Sequence, residues 1–200
     1  VAAWRGAKQG CVNATRFEFV PHAVDLPPIE PNKGYVENLS KGNFVILRYG
    51  GQGTFDLPWV HDELEKFVID HDEVVVLLVN TEKFSDHPRI RFLPAFTTEQ
   101  RRNQLLASCD VFLHAQHFGE TFGLALVEVA QAGRQILSWS GGYNKAYLGL
   151  LEGSGSLFAD RKELRQKLEA LKAGEQIVDT SLLARRADQF RSEHVVPQLI

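Results

Sequence analysis

The 200-residue chain contains no methionine and only two cysteines. The two thiols, Cys11 and Cys109, make no disulfide framework and offer no metal-ligand spacing. Cys109 precedes an apolar run and reads as a small buried hydrophobe. A reducing, cytoplasmic setting is the expectation that follows. No apolar stretch approaches the roughly 20 residues that a membrane span needs, and the sequence does not open on a secretory leader. Without such a leader, the sequons at Asn13 and Asn38 read as chance matches. There is no basic surplus: 22 Lys and Arg against 25 Asp and Glu give a formal charge of −3. That argues against sequence-independent nucleic-acid binding, which needs a basic face. Internal repeats and low-complexity tracts are also lacking. A chain that begins at Val1 and holds no methionine is expected to be a domain excised from a longer protein.

What is present is ordinary for a globular domain with a sizeable core: 44% hydrophobic and 24% charged residues. Residues 1–43 read as a connector. Four prolines there, Pro21, Pro27, Pro28 and Pro31, favour extended backbone. From residue 44 to 200 strands and helices alternate. Strands are expected at 43–49, 73–79, 89–93, 111–114 and 135–139. Helices are expected at 58–70, capped by Asp56, and at 98–108, capped by Thr97 or Thr98. Further helices are expected over 144–151, 160–173 and 180–194. Strands that are apolar throughout imply a parallel sheet covered on both faces, an α/β Rossmann-like architecture. Ligands of such sheets bind beyond the carboxyl ends of the strands. The loops Gly50–Thr54, Asn80–Lys83, His114–Thr121 and Ser140–Tyr143 are expected to converge there.

Glu120 and Glu128 bracket a segment that is otherwise almost wholly apolar from Phe122 to Ala132. A segment apolar on nearly every side reads as a buried helix. A lone carboxylate within it is costly unless it is paired, so Glu128 needs a polar partner, either protein or ligand. Glu120 sits just before that helix, where Thr121 and Gly123 offer open backbone N–H groups. This is the layout of an anion site at a helix start, and equally of a simple cap carboxylate. The glycine-rich loop after the first strand, Gly50, Gly51, Gly53 and Thr54, lets backbone approach a phosphate or forms an ordinary tight turn. Its spacing is not that of the dinucleotide fingerprint.

The segment from Glu120 to Gly133 resembles the glycosyltransferases of the GT-B fold, family 4 type. Their pattern Glu-x-Phe-Gly-x-x-x-x-Glu-Ala-x-Ala-x-Gly is matched by Glu120, Phe122, Gly123, Glu128 and Gly133, with Ala130 displaced from the family's Ala. Phe19–Asp25 is similar to the family's stretch leading into the second domain, and Ser108–Leu113 to its strand before the Glu motif. The resemblance covers roughly residues 17–200 and implies the C-terminal, nucleotide-sugar-binding half of a GT-B fold. It implies transfer of a hexose from a nucleoside-diphosphate sugar, UDP or GDP type, to a glycan or other hydroxyl acceptor. No cofactor and no metal are implied, and an N-terminal partner domain is.

By the resemblance, Glu120 binds hydroxyls of the donor sugar, Glu128 the ribose and Arg48 the diphosphate. The two carboxylates stand roughly 10 Å apart at ~1.5 Å per helical residue, about the reach of a diphosphate. The family's Lys beside Arg48 has no counterpart, since the stretch from Gly53 to Asp56 occupies its place. The diphosphate is then expected to rest more on amides and the helix dipole. Glu120, Arg48 and His117 are the candidate catalytic residues. Gly50, Gly51, Gly53, Thr54, Asn80, Thr121, Phe122, Gly123, Leu124 and Glu128 are the candidate nucleotide-sugar contacts.

Plainer alternatives stand beside these roles. Arg48 and Glu128 both suit internal ion pairs. His114 and His117, at a strand end, lack a third metal ligand and suit structural roles, with His117 the better functional candidate because it is nearer Glu120. Asp70-His71-Asp72 imitates an Asp-x-Asp metal motif but precedes a strand, so it reads as a solvated turn. The charged helix 160–172 likewise reads as a solvated face. Two other function classes share these residues: a binding module without chemistry, and an epimerase or hydrolase on the same fold.

Overall fold

The computed structural model describes residues 20–199. Cys11, the Asn13 sequon and the first part of the connector lie outside the described residues. In chain order the elements are β1 (Phe44–Tyr49), α1 (Pro58–Asp70), β2 (Val74–Val79), β3 (Ile90–Leu93), α2 (Glu99–Ser108), β4 (Val111–His114), β5 (Gly119–Glu120) and α3 (Leu124–Gln131). Then follow β6 (Gln135–Trp139), β7 (Asn144–Lys145), α4 (Leu148–Leu151), β8 (Leu157–Phe158), α5 (Arg161–Lys172), α6 (Thr180–Asp188) and α7 (Ser192–Val195).

Six strands form one sheet in the order β3-β2-β1-β4-β6-β8, and all are parallel. Every residue of β1 and β2 is buried. Successive strand side chains point to opposite faces, so both faces of the sheet must be covered by helices. Leu47, Val76, Phe112 and Ile136 are among the fully buried residues of that core. The order reverses between β1 and β4, whose outgoing connections lead to opposite halves of the sheet. This is the switch point at which such folds open a crevice.

The described part of the connector packs against the domain. Val24, Leu26 and Val36 are buried in the common core. The buried Gln131 holds it with two bonds and α6 with a third: Oε1 accepts from Leu26 N at 2.9 Å, and Nε2 donates to the carbonyls of Val24 at 2.8 Å and of Ala187 on α6 at 3.1 Å.

The structure corrects several expectations. The cap of α1 is Leu57, which has no side-chain cap bond; Asp56 faces the β4–α3 loop instead. The expected helix at 144–151 begins as β7, which pairs with β5, and only 148–151 is helical. The expected helix at 180–194 breaks after Asp188, because the chain turns to dock on the connector. There Phe190 O accepts from Val24 N at 2.7 Å, and Asp25 accepts from Ser192 N at 3.1 Å. The edge strand β8, two residues between Ser156 and Ala159, was not expected.

Helix α5 is not simply a solvated charged face. Leu164, Leu168 and Leu171 bury one side of it. Arg165 lies 5.0 Å above the Phe67 ring and pairs with Glu63, Asp70 and Glu169, clamping α5 to α1. The alternation of charges that looks solvated in sequence is here an amphipathic helix whose charges reach its neighbour. Asp72 is fully exposed beside Arg89, as a turn residue would be.

Candidate functional site

The carboxyl ends of β1 and β4 carry Arg48, Tyr49 and His114 to the switch point. Four loops meet there, and each junction is hydrogen-bonded. Arg48, only 4% exposed, joins the first two. Its Nη1 donates to the carbonyls of Val79 and Asn80, both at 3.3 Å, and to Thr81 Oγ1 at 2.8 Å. Its Nη2 donates to Gly51 O at 2.9 Å and to Thr54 Oγ1. Burial brings its pKa down to about 10, against the opposing charges of Glu120 and Asp56, so it remains a cation at neutral pH. Asn80 adds a bond from Nδ2 to Gly50 O at 2.9 Å, with φ of 51°. Asp56 Oδ1 accepts from His117 N at 2.7 Å, tying the β1–α1 loop to the β4–α3 loop. Tyr143 N and Asn144 N donate to the carbonyls of His117 and Phe118, tying in the loop after β6.

The β5–β7 pair fixes Glu120 in register with Lys145. Gly119 makes this possible: its φ is +75°, and a Cβ there would stand 2.0 Å from Asn144 O. Gly123, at φ +81°, caps α3, which begins at Leu124. Thr121 and Phe122 thus lie in the loop before the helix. The first helical N–H groups, those of Leu124 and Ala125, have no carbonyl one turn earlier to receive them. Leu124 is 51% exposed and Phe122 is half-buried. Glu120 Oε1 lies 3.8 Å from His114 Nε2. Between Arg48, His114, Glu120 and Gly123 is a cavity of about 30 Å³. Ala125 and Gly50 also line it, while Gly53 stands in open space. A wider hollow, about 640 Å³, lies elsewhere, between Pro21 and the C-terminal helices. There Asp188 is already paired with Arg191 and His194, so it offers less unused chemistry.

Solved structures that resemble this architecture include the following three. HepE of Anabaena, solved with UDP and glucose, is 19% identical with a TM-score of 0.63; the match covers 79% of this chain and 47% of that one. WaaG, a glycosyltransferase involved in lipopolysaccharide biosynthesis, is 17% identical with a TM-score of 0.55, covering 89% and 52%. The C-terminal domain of LpcC, a glycosyl transferase group 1 family protein of Francisella tularensis, is 14% identical with a TM-score of 0.59, covering 86% and 95%. The chain spans about half the length of the HepE and WaaG chains it matches. No protein-family model and no curated protein matches it. At these identities the likeness shows the fold. It is a Rossmann-like α/β domain with helices on both faces of the sheet, the kind that forms one half of a GT-B structure.

The polar partner that Glu128 required is found within the protein. Its Oε1 accepts from Arg102 Nη1 at 2.7 Å and its Oε2 from the Tyr49 hydroxyl at 2.9 Å. Burial pushes the Tyr49 pKa well above its ordinary value, with the neighbouring Glu128 charge adding to it, so the phenol stays a donor. Neither Tyr49 nor Arg102 stood out in the sequence. Arg102 is one of several polar residues on α2, and only the buried acid announces that one of them must turn inward. His117 is exposed, and its ring stacks near Trp139 with centroids 6.3 Å apart. Among the described residues no group of three His, Cys, Asp or Glu could hold a metal ion, and no helix is long and apolar enough to cross a membrane.

Proposed function

We propose that this chain is the donor-binding half of a glycosyltransferase that moves a hexose from a nucleoside-diphosphate sugar to an acceptor hydroxyl. The observation that carries the reading is the meeting, at the β1/β4 switch point, of an unpaired carboxylate, a buried cation and a helix start. Glu120 is the free acceptor, one-third exposed and suited to sugar hydroxyls. The N–H groups at the start of α3, with the Gly50–Thr54 loop, face the place of the diphosphate. Arg48 contributes its charge and shapes the loops. Its terminal N–H groups are engaged by protein, so it does not grip the phosphates through them. In this reading the lone pairs of Glu128 not used by Tyr49 and Arg102 meet the ribose.

The departing diphosphate carries negative charge, and stabilising it is the main catalytic task. Amides and a cation supply this without a metal. UDP is the first nucleotide to try, because HepE holds UDP. The acceptor and any general base belong to a partner half in this proposal, as does a cytoplasmic location.

Calorimetry with UDP and GDP, with and without EDTA, tests the reading. Binding that survives EDTA is expected. Strict dependence on a divalent ion refutes the metal-free part, and binding of neither nucleotide refutes the whole. Glu120→Ala is expected to weaken a sugar nucleotide more than the bare diphosphate, because that carboxylate contributes nothing to UDP. Equal loss for both ligands means that Glu120 orders the loop and does not touch the sugar.

A further inference from the structure

The ring of His114 is held on two sides. Its Nδ1 lies 2.8 Å from Ser138 Oγ, on the paired residue of β6, and Ser138 is fully buried. Tyr147 packs edge-on against it with centroids 5.1 Å apart. The remaining nitrogen, Nε2, is buried and has no hydrogen-bond partner among the described residues. An orphaned polar atom in the interior is uncommon and calls for a cause.

The small cavity beside Arg48 is lined by both His114 and Glu120, whose Oε1 lies 3.8 Å from Nε2. That separation is too long for a hydrogen bond, yet close enough for the charge to act. A carboxylate at that distance favours the tautomer with hydrogen on Nε2. Ser138 Oγ–H then donates to Nδ1. One N–H donor and one carboxylate acceptor therefore border the same small space. A single hydroxyl satisfies both, since its oxygen accepts from Nε2–H while its O–H donates to the carboxylate. Glu120 is 34% exposed at its side chain, which leaves it free to adjust to such a guest.

We propose that His114 binds the donor sugar together with Glu120, the two residues gripping one hydroxyl from opposite ends. The inference rests on the nucleotide-sugar reading above. It assigns the sugar-reading histidine to His114 and not to His117, whose exposed ring stacks toward Trp139. It also gives the site a means of selecting donors, because a sugar lacking that hydroxyl leaves both partners unsatisfied.

The test is calorimetry of the 200-residue chain with UDP-glucose and with UDP. Three variants separate the nitrogens. His114→Leu removes both. His114→Asn keeps a polar group near the Nδ1 position, facing Ser138. His114→Gln carries an amide N–H toward the Nε2 position. The Leu and Asn variants are expected to lose about three- to tenfold in affinity for UDP-glucose, the loss of one hydrogen bond, with UDP nearly unchanged. The Gln variant is expected to recover most of the difference. Should His114→Leu fail to fold, the Asn and Gln pair decides the question alone. An equal loss for both ligands, or an Asn variant as good as the original, overturns the inference and leaves the function reading standing. An unaltered chain that binds UDP but not UDP-glucose overturns it too. Failure to bind either ligand overturns the function reading and this inference with it.

Discussion

Deleting the Glu128 carboxylate separates its two possible duties. The acid and Arg102 are 11% and 14% exposed at their side chains and meet at 2.7 Å. Glu128→Ala leaves a guanidinium and the Tyr49 hydroxyl without their acceptor. Breaking a buried pair from one side costs roughly 3–5 kcal/mol. Water reaches this pair at one edge, which places the expected loss near the lower bound, about 3 kcal/mol. Glu128→Gln keeps the volume and one acceptor, and loses only the charge, at ~1.5–3 kcal/mol. Urea unfolding reads both. With a slope of about 3 kcal/mol/M, the alanine variant moves the midpoint down by about 1 M. Arg102→Met, combined with Glu128→Gln in a double-mutant cycle, should give a coupling of at least ~1 kcal/mol. UDP affinity, measured on the folded fraction of Glu128→Gln, reads the second duty. A ribose contact predicts a loss of roughly tenfold or more. Unchanged affinity at lowered stability means the acid serves only Tyr49 and Arg102. A midpoint shift under about 0.3 M for the alanine variant refutes the stability argument outright.

Other outcomes follow from single features. Burial pushes the Cys109 thiol up to about 12, so with Cys11 replaced by serine, labelling by iodoacetamide near pH 8 should track urea unfolding; fast labelling of the folded chain contradicts this. Gly119→Ala meets Asn144 O at 2.0 Å and imposes a left-handed backbone; a loss of at least about 2 kcal/mol is expected, and a stability equal to the parent refutes the β5–β7 geometry. Acid should loosen the clamp between α5 and α1. Burial raises the Glu169 pKa, but hydrogen bonds from His71 and Arg165 reverse this, and the net value lies below 4.5. Glu73 is lowered by its own backbone N–H and by Lys172. A depressed carboxylate adds stability that is complete above 4.5 and disappears as the pH falls through the folded value. Unfolding midpoints should therefore hold steady down to about pH 5 and drop below it, less steeply in Glu169→Gln. A profile that is flat from about pH 5 to 3 contradicts this.

The parallel sheet was legible because β2 is apolar at every position and β1 at every position but Arg48, a pattern that only burial on two faces explains. The helix over 58–70 was legible with Pro58 in its first turn, although its cap is not Asp56. What failed was decided by partners remote in sequence. The break after Asp188 depends on Val24 and Asp25, and β7 exists because Gly119 lets the backbone of Asn144 approach. At the site, the sequence marked Glu120, Arg48 and Glu128 as residues that needed partners or ligands. It did not reveal that Arg48 turns its terminal N–H groups to loops or that Glu128 turns to Tyr49 and Arg102. Geometry made that choice, since every one of these residue types can serve either a ligand or the protein.

The bonds of Arg48 to the β1–α1 and β2–β3 loops have a kinetic consequence. Loops held at four points of contact, with a fifth bond to the end of β2, are ordered when the chain folds, before any ligand arrives. Binding to them then loses little conformational entropy and needs no slow rearrangement. Association should be limited by encounter and orientation, with a single fast phase in stopped flow. Loosening the same loops through Arg48→Lys, which cannot reach both at once, should slow the on-rate and introduce a concentration-independent phase. Arg48 would then set how quickly the ligand is captured, although its terminal N–H groups never touch it.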